Sequence, residues 1–379
     1  MKQHKMQSVS RIAENGGLVR GSNSGSTQID TTSVWDNEKV LPPPYPPKDL
    51  SVIYEKNTIA RKSIDIFATN VFGDGYTLRT YSGDTQGPQI KEAQDFLDNI
   101  NPDKTFEELI QSFVVDYKNI GYAGFEVARD KLSKKPSKLY NIPVATIRVA
   151  QGDNKTFKTG QRFLQIEDES MISDKVWYNK YYAKPEDRIP ENGYDENLNG
   201  VGKRTNEIMW FASPNPSSRY YGLSPSITLL KTYLLSEYCQ KFNIDQFENG
   251  MLKKFLVLVQ GNGKLTDDSI QGLKAFIDES TKNQKWSEIP ILKATGKDAK
   301  VAIEKLMGDI VESSFLETLK FNDQQVYIAF GVPPILLGIT ENATQANQDS
   351  QEAKFYYKEI RPIESMLENR FNKMFQYDF

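Results

Sequence analysis

The residue types that carry most protein chemistry are scarce or badly placed in this 379-residue sequence. The one histidine, His4, stands in a polar leader. That leaves almost no room for a histidine base in serine or cysteine hydrolysis, or for a histidine-ligated zinc site, because each needs an imidazole held by a folded scaffold. The single cysteine, Cys239, permits neither an internal disulfide nor a cysteine metal cluster. It falls among Tyr233, Leu234, Leu235 and Tyr238 on a predicted helix, which suits a buried structural thiol better than a reactive one. Gly261-Asn262-Gly263-Lys264-Leu265-Thr266 has the look of a phosphate-binding loop. The fit fails, because the motif's first glycine should stand where Leu258 is, and Ser or Thr should follow Lys264 directly. The stretch reads as a strand-to-helix turn with Thr266 as N-cap. Carboxylate-only catalysis stays open as a reading, since 50 Asp and Glu residues always offer pairs. No catalytic, metal or cofactor-binding residue emerges, and none of these groups is expected.

Composition narrows the class further. Aromatic residues make up 11% and charged residues 26%, as in a soluble folded protein, and the length allows two or three structural units. The longest apolar runs, such as residues 255–259, are too short to span a membrane. Residues 1–20 lack the apolar core of a secretory signal, so a cytoplasmic product is expected. The net charge is −3, without the basic surplus that tight, sequence-independent DNA binding requires.

The elements that would position any site differ between the two halves. Residues 1–50 read as a flexible arm, Gly/Ser-rich at 22–27, with Pro42-Pro43-Pro44-Tyr45-Pro46-Pro47 as an extended polyproline stretch. That stretch serves either as a stiff spacer or as a ligand for an aromatic groove. Residues 51–223 read as an α+β domain of helices on a small antiparallel sheet. A helix carrying Val52, Ile59, Ile64, Ile66, Phe67 and Val71 stops before Gly73, and a second covers 90–100. A third opens on the capping box Thr105/Glu108 and ends at Gly121. Strands are expected at 124–128, 144–150, 162–166, 176–182 and 207–211, with a polar, solvent-facing loop at 184–206.

The second half is dominated by long helices. Ser224-Pro225 pairs an N-cap with a proline at the first helical position, opening a helix over 224–250. Leu230, Leu234, Tyr238 and Phe242, with Ile227 and Leu235 beside them, form its expected buried row. A compact β-α-β insertion at 251–300 follows, with strands at 254–259 and 289–293 around a helix at 266–281. A second long helix runs over 301–331 until Gly331-Val332-Pro333-Pro334 stops it. After a loop at 332–346, a third helix occupies 347–379, with Pro362 as its kink. Two long helices around a tip make a stalk whose spare apolar positions would be buried by copies placed side by side. Such a heterologous contact, once it closes, gives a ring. The same stalk also suits an ordinary helical hairpin in a monomer.

Several segments, in order, are similar to the phage portal family. Residues 121–130 (GYAGFEVARD) and 138–149 resemble its early strand region. Tyr221-Gly222-Leu223-Ser224-Pro225 resembles the signature that opens its first stem helix. Phe330-Gly331-Val332-Pro333-Pro334-Ile335-Leu336-Leu337-Gly338 resembles the one that closes the second, and residues 345–361 resemble the helix after it. The likeness runs from about residue 50 to the end. It implies a portal fold: an α+β wing (51–223), stem helices (224–250 and 301–331) flanking a clip (251–300), a tunnel loop (332–346), and a helix leading to a short crown (347–379).

The resemblance also implies function: a homo-oligomeric ring of about twelve subunits at a capsid vertex. Double-stranded DNA would pass through it without sequence readout, and the partners would be terminase, head–tail adaptors and the major capsid protein, with no membrane. The loop Thr340, Glu341, Asn342, Ala343, Thr344 and Gln345 would project into the tunnel, small and polar enough for a sliding contact. Glu304, Asp309, Glu312 and Glu317 either line the channel as a mild repulsive surface or form a solvated helix face. Lys282, Lys285 and Trp286 would offer the clip's docking surface, unless Trp286 belongs to the clip's own core. Two rivals are a carboxylate-dependent hydrolase and another ring component of the virion.

Overall fold

Asn57 makes the first break in the chain. Its backbone is extended and its side chain accepts the amide of Ala60 at 2.8 Å. The apolar run read as one helix therefore folds as two, α1 (Pro47–Lys56) and α2 (Thr58–Asn70). The computed structural model describes residues 39–378 except 74, 81–82, 131–132, 134, 153–156, 167–174, 185–202, 249–254, 261–263, 266, 269, 273, 275–293, 296–299, 306–309 and 340–344. The chain divides into two units, residues 1–230 with 326–379, and residues 231–325.

In the first unit α3 (Pro88–Asp98) and α4 (Phe106–Ile120) follow. The expected capping box opens α4: the Glu108 amide donates to Thr105 Oγ1 at 3.2 Å, and the Thr105 amide donates to Glu108 Oε2 at 2.8 Å. Gly121 closes the helix in the left-handed region, at φ +96°.

The sheet has seven strands in the order β1-β4-β5-β6-β7-β2-β3. They are β1 (Val40–Leu41), β2 (Tyr122–Arg129), β3 (Pro136–Asn141), β4 (Ile147–Ala150), β5 (Arg162–Ile166), β6 (Lys175–Lys180) and β7 (Lys203–Ala212). The pairs are antiparallel except β6 with β7, which is parallel and so demands a crossover rather than a hairpin. Three expectations shift. The chain joins the sheet at Val40, so the arm of residues 1–50 ends earlier than read. β3 escapes the strand pattern because only Leu139 and Tyr140 are apolar. Residues 203–206, read as loop, belong to β7, and 185–202 lie outside the described residues.

An aromatic core joins helices to sheet. Phe113 of α4 stacks on Phe125 of β2 at 4.9 Å and meets Phe211 of β7 edge-on at 4.8 Å. Such pairs add about 0.5–1.5 kcal/mol each beyond burial. The C-terminal helix enters the same core. It is built as α7 (Gln345–Phe355), a π-helical turn (Tyr356–Ile360) and α8 (Arg361–Asp378). Pro362 has no N–H for the carbonyl four residues back and its ring crowds that oxygen, so the wider turn absorbs the defect. Ile363, Leu367, Phe371 and Met374 of α8 are buried. Phe371 packs edge-on against Phe106 at 5.4 Å, and Phe375 meets Phe96 at 6.3 Å. The segment assigned to a kinked helix and short crown is thus anchored in the first unit.

Ser224, in the first unit, caps a 3₁₀ turn (Pro225–Leu229) that runs into α5 (Leu230–Glu248), whose residues from Lys231 on belong to the second unit. Residues Leu229, Leu230, Tyr233, Ser236 and Cys239 are buried. The expected row holds only at its start: Leu230 is buried, but Leu235 and Tyr238 are 44% and 55% exposed. Cys239 is buried as expected, which pushes its thiol pKa up.

Among the described residues the insertion holds two nested antiparallel ribbons, the inner one bracketing a helical segment. β8 (Phe255–Gln260) pairs with β11 (Lys300–Lys305), and β9 (Lys264–Leu265) with β10 (Ala294–Thr295). Described residues within 267–274 are helical, and 289–293 lie outside the described set. The second long helix, α6, spans Ile310–Phe330, so the expected helix start at 301 is corrected. Val301 and Ile303 alternate with Ala302 and Glu304, a two-residue period that the partner strand β8 selects over the helical one.

Candidate functional site

The first long helix is attached to the sheet through Tyr221-Gly222-Leu223-Ser224. The buried Tyr221 hydroxyl accepts from the Val149 amide at 2.8 Å and donates to the Leu41 carbonyl at 2.7 Å. Ser213, just past β7, accepts the Leu223 amide at 2.8 Å through its hydroxyl and donates back to the Leu223 carbonyl at 2.9 Å. Its own amide reaches Gly121 O at 2.9 Å. A Cβ on Gly222 would lie 1.9 Å from that same oxygen, so only glycine fits. Ser224 donates to the Lys118 carbonyl at the end of α4 and accepts from Ser226 N–H. These four residues thus link the end of α4, the strand ends and the 3₁₀ turn that leads into α5.

The second junction closes α6. Gly331 adopts φ +71°; its amide reaches Ile328 O at 3.1 Å and the Val332 amide reaches Tyr327 O at 2.9 Å. These are the paired bonds of a Schellman motif, with Tyr327 and Val332 both buried beside it. A 3₁₀ turn (Pro334–Leu337) follows and Gly338 ends it at φ +82°. A Cβ on Gly331 would meet Glu359 Oε1 at 2.7 Å. Glu359, in the π turn, lies 3.7 Å from Lys118 Nζ, and that ammonium sits 3.7 Å over the Phe67 ring. Burial pushes Lys118 down to about 8, with the Glu359 carboxylate opposing. Sequence reasoning missed this half-buried pair. A lysine in the last turn of α4 reads as a partner for the helix dipole, and nothing local links it to a residue so distant.

Between the long helices, Asn322 Nδ2 of α6 donates to Ser236 Oγ of α5 at 2.9 Å, both side chains buried. Both helices also expose large apolar side chains. Leu235 and Tyr238 share a face of α5, and Phe321 and Ile328, seven residues apart, share a face of α6 with exposures of 57% and 68%.

Of the residues singled out in the sequence, Thr340, Glu341, Asn342, Ala343 and Thr344 lie outside the described residues, and Gln345 begins α7. Glu304 is on strand β11, not on a stem helix. Glu312 and exposed Glu317 are on α6, and Asp309 lies outside the described set. Lys282, Lys285 and Trp286 also lie outside it. No group of three or more His, Cys, Asp or Glu suited to a metal occurs among the described residues. No described helix is long and apolar enough to cross a membrane.

Known proteins fit this architecture. The family model described as phage portal protein matches residues 75–378. An uncharacterized protein, YqbA of Bacillus subtilis, is 23% identical over 382 aligned positions, covering 90% of this chain and 73% of its own. Among solved structures, a chain from the virion of a native gene transfer agent particle aligns with TM-score 0.58 and 15% identity, covering 98% of this chain and 86% of that one. A chain from the neck of a native particle of that kind, computed with C12 symmetry, aligns with TM-score 0.57 and 16% identity, over 90% and 84%. At such identities the structural likeness speaks to fold.

Proposed function

The chain belongs to the phage portal protein family, and we propose that its copies close into a ring of about twelve at a capsid vertex. Through that ring double-stranded DNA is packaged and later ejected. As a portal protein it is a structural component of the capsid. The observation that carries the ring is the exposed apolar pair on each long helix, Leu235 with Tyr238 and Phe321 with Ile328. Apolar surface of this size on helices already packed on their other faces favours a neighbouring copy, and a heterologous contact repeated around an axis closes.

Passive conduction follows from charge. Duplex DNA carries one charge per roughly 1.7 Å, so basic rings repeated around a channel would hold it fast. Helix α6 instead carries Glu312, Glu317 and Asp323 against Lys320. In this reading Glu312 faces the channel with Asp309, and Glu317, which shares the helix face of Phe321 and Ile328, borders the subunit contact. Glu304, on its strand, belongs to the clip. The loop Thr340 to Gln345 touches the duplex without basic anchors. Assembly takes place in the host cytoplasm beside the major capsid protein. Terminase, then head–tail adaptors, dock on the clip around Lys282, Lys285 and Trp286.

Negative-stain imaging of the purified protein tests the ring: closed rings of about twelve subunits support it, and a monodisperse monomer overturns it. Shortening residues 340–345 tests the channel. Rings that still form but fail to package or retain DNA are expected. Loss of assembly would make the loop structural.

A further inference from the structure

One concentration of positive charge in the first unit is absorbed by none of the roles above. A cavity of about 430 Å³ is lined by Lys158, Thr159, Gln161, Lys180, Arg219 and Tyr220. A second of about 210 Å³ adjoins it through Lys180, Arg219 and Tyr220 and adds Arg370 from α8. Among the described residues, neither lining contains a carboxylate.

The walls are built, not incidental. Gly160 takes φ +82°, and a Cβ there would fall 2.4 Å from the Tyr220 ring, so the missing side chain lets that ring lie against the backbone. Trp210 Nε1 donates to Tyr220 O at 3.0 Å, fixing the segment from the other side. The Lys180 amide donates to Gln161 O at 2.8 Å, extending the β5–β6 ladder along the cavity wall. Lys180 is partly desolvated there and its pKa is lowered, first by burial and then by Arg370 and Arg219. Cations gathered against their mutual repulsion are stabilised by an anion that enters among them.

Nucleic acid is the less suitable occupant. Sequence-independent DNA binding spreads many phosphate contacts along a basic stripe, and the chain as a whole is acidic, with net charge −3. Here the cations converge on one concavity with hydroxyl and amide donors beside them. That arrangement suits a single carboxylate carried on a polypeptide. We propose that this cavity is a docking site for an acidic segment of a partner protein, with an Asp or Glu side chain seated against Lys180 and Arg219. This proposal does not depend on the channel reading.

The test uses the assembled full-length protein and a fluorescent polyglutamate peptide, with inorganic phosphate and a short DNA duplex as competitors. The peptide should bind in a salt-dependent manner. The double variant Lys180→Met/Arg219→Gln should bind about tenfold more weakly, while the equally charge-depleted control Lys62→Gln/Lys91→Gln binds like the parent. Equal loss in the control, or none in the pocket variant, overturns the site. Duplex displacing the peptide better than phosphate does would replace the protein partner with nucleic acid and overturn the proposal. Binding to dissociated subunits but not to the assembled protein would assign the cavity to a neighbouring copy, with the same consequence. Should the variant misfold, acetylation of wild-type protein gives the answer. Peptide should slow modification of Lys180 and leave Lys91 unchanged, and absence of protection sinks the idea.

Discussion

The hydroxyl of Tyr221 bridges Leu41 and Val149, which are register partners in β1 and β4. It thereby ties the edge strand to the sheet from a residue that belongs to the helix junction. Tyr221→Phe removes the bridge and leaves a buried amide and carbonyl without their partner. A loss of about 1–3 kcal/mol in urea unfolding is expected, with faster hydrogen exchange at Val149. An unchanged midpoint would show that the bridge is dispensable.

Gly331 and Glu359 form a second coupled pair. Gly331→Ala must adopt a left-handed backbone, at about 1–2 kcal/mol, and also displace the Glu359 carboxylate 2.7 Å away. Glu359→Ala opens that space. The double variant should therefore recover part of the loss, a coupling of about 0.5–3 kcal/mol. Strict additivity in a double-mutant cycle would contradict the contact.

Lys118 gives the junction a pH dependence. Its folded pKa is about 8 against an ordinary 10.5. Between those values the unfolded chain binds the proton that the folded protein has shed, so stability from this group rises with pH across that window. The unfolding free energy of the wild type, minus that of Lys118→Met, should climb from about pH 8 to 10.5. A flat difference would mean that Lys118 is well solvated.

The stem faces predict a separation of folding from assembly. Leu235→Glu and Phe321→Glu alter side chains that are 44% and 57% exposed in the isolated chain. Each variant should keep its unfolding midpoint within about 0.5 kcal/mol while rings disappear from sedimentation profiles. Intact rings would place the subunit contact elsewhere.

Much of the fold was legible locally. Thr105 and Glu108, Gly121, Ser224-Pro225 and Gly331-Val332-Pro333-Pro334 mark helix ends because capping chemistry acts within a few residues. The errors share one cause. Residues 301–305 carry both helical and strand periodicities, and pairing with β8 decided between them. The buried row of α5 turned away from Tyr238 because burial follows the neighbour, not the most apolar stripe. The Lys118–Glu359 contact joins residues too far apart in sequence for any local pattern to link.

By itself, the sequence determined the capped helix ends at Thr105, Gly121 and Gly331, the scarcity of catalytic equipment and the two junction signatures, since each rests on short-range sterics, hydrogen bonding or plain composition. Only the tertiary structure decided why Gly222 has to be glycine, how the C-terminal helix is anchored, and where cations gather around Lys180. Those features depend on which distant segments meet, and a meeting across the chain is fixed by the packing of the whole core.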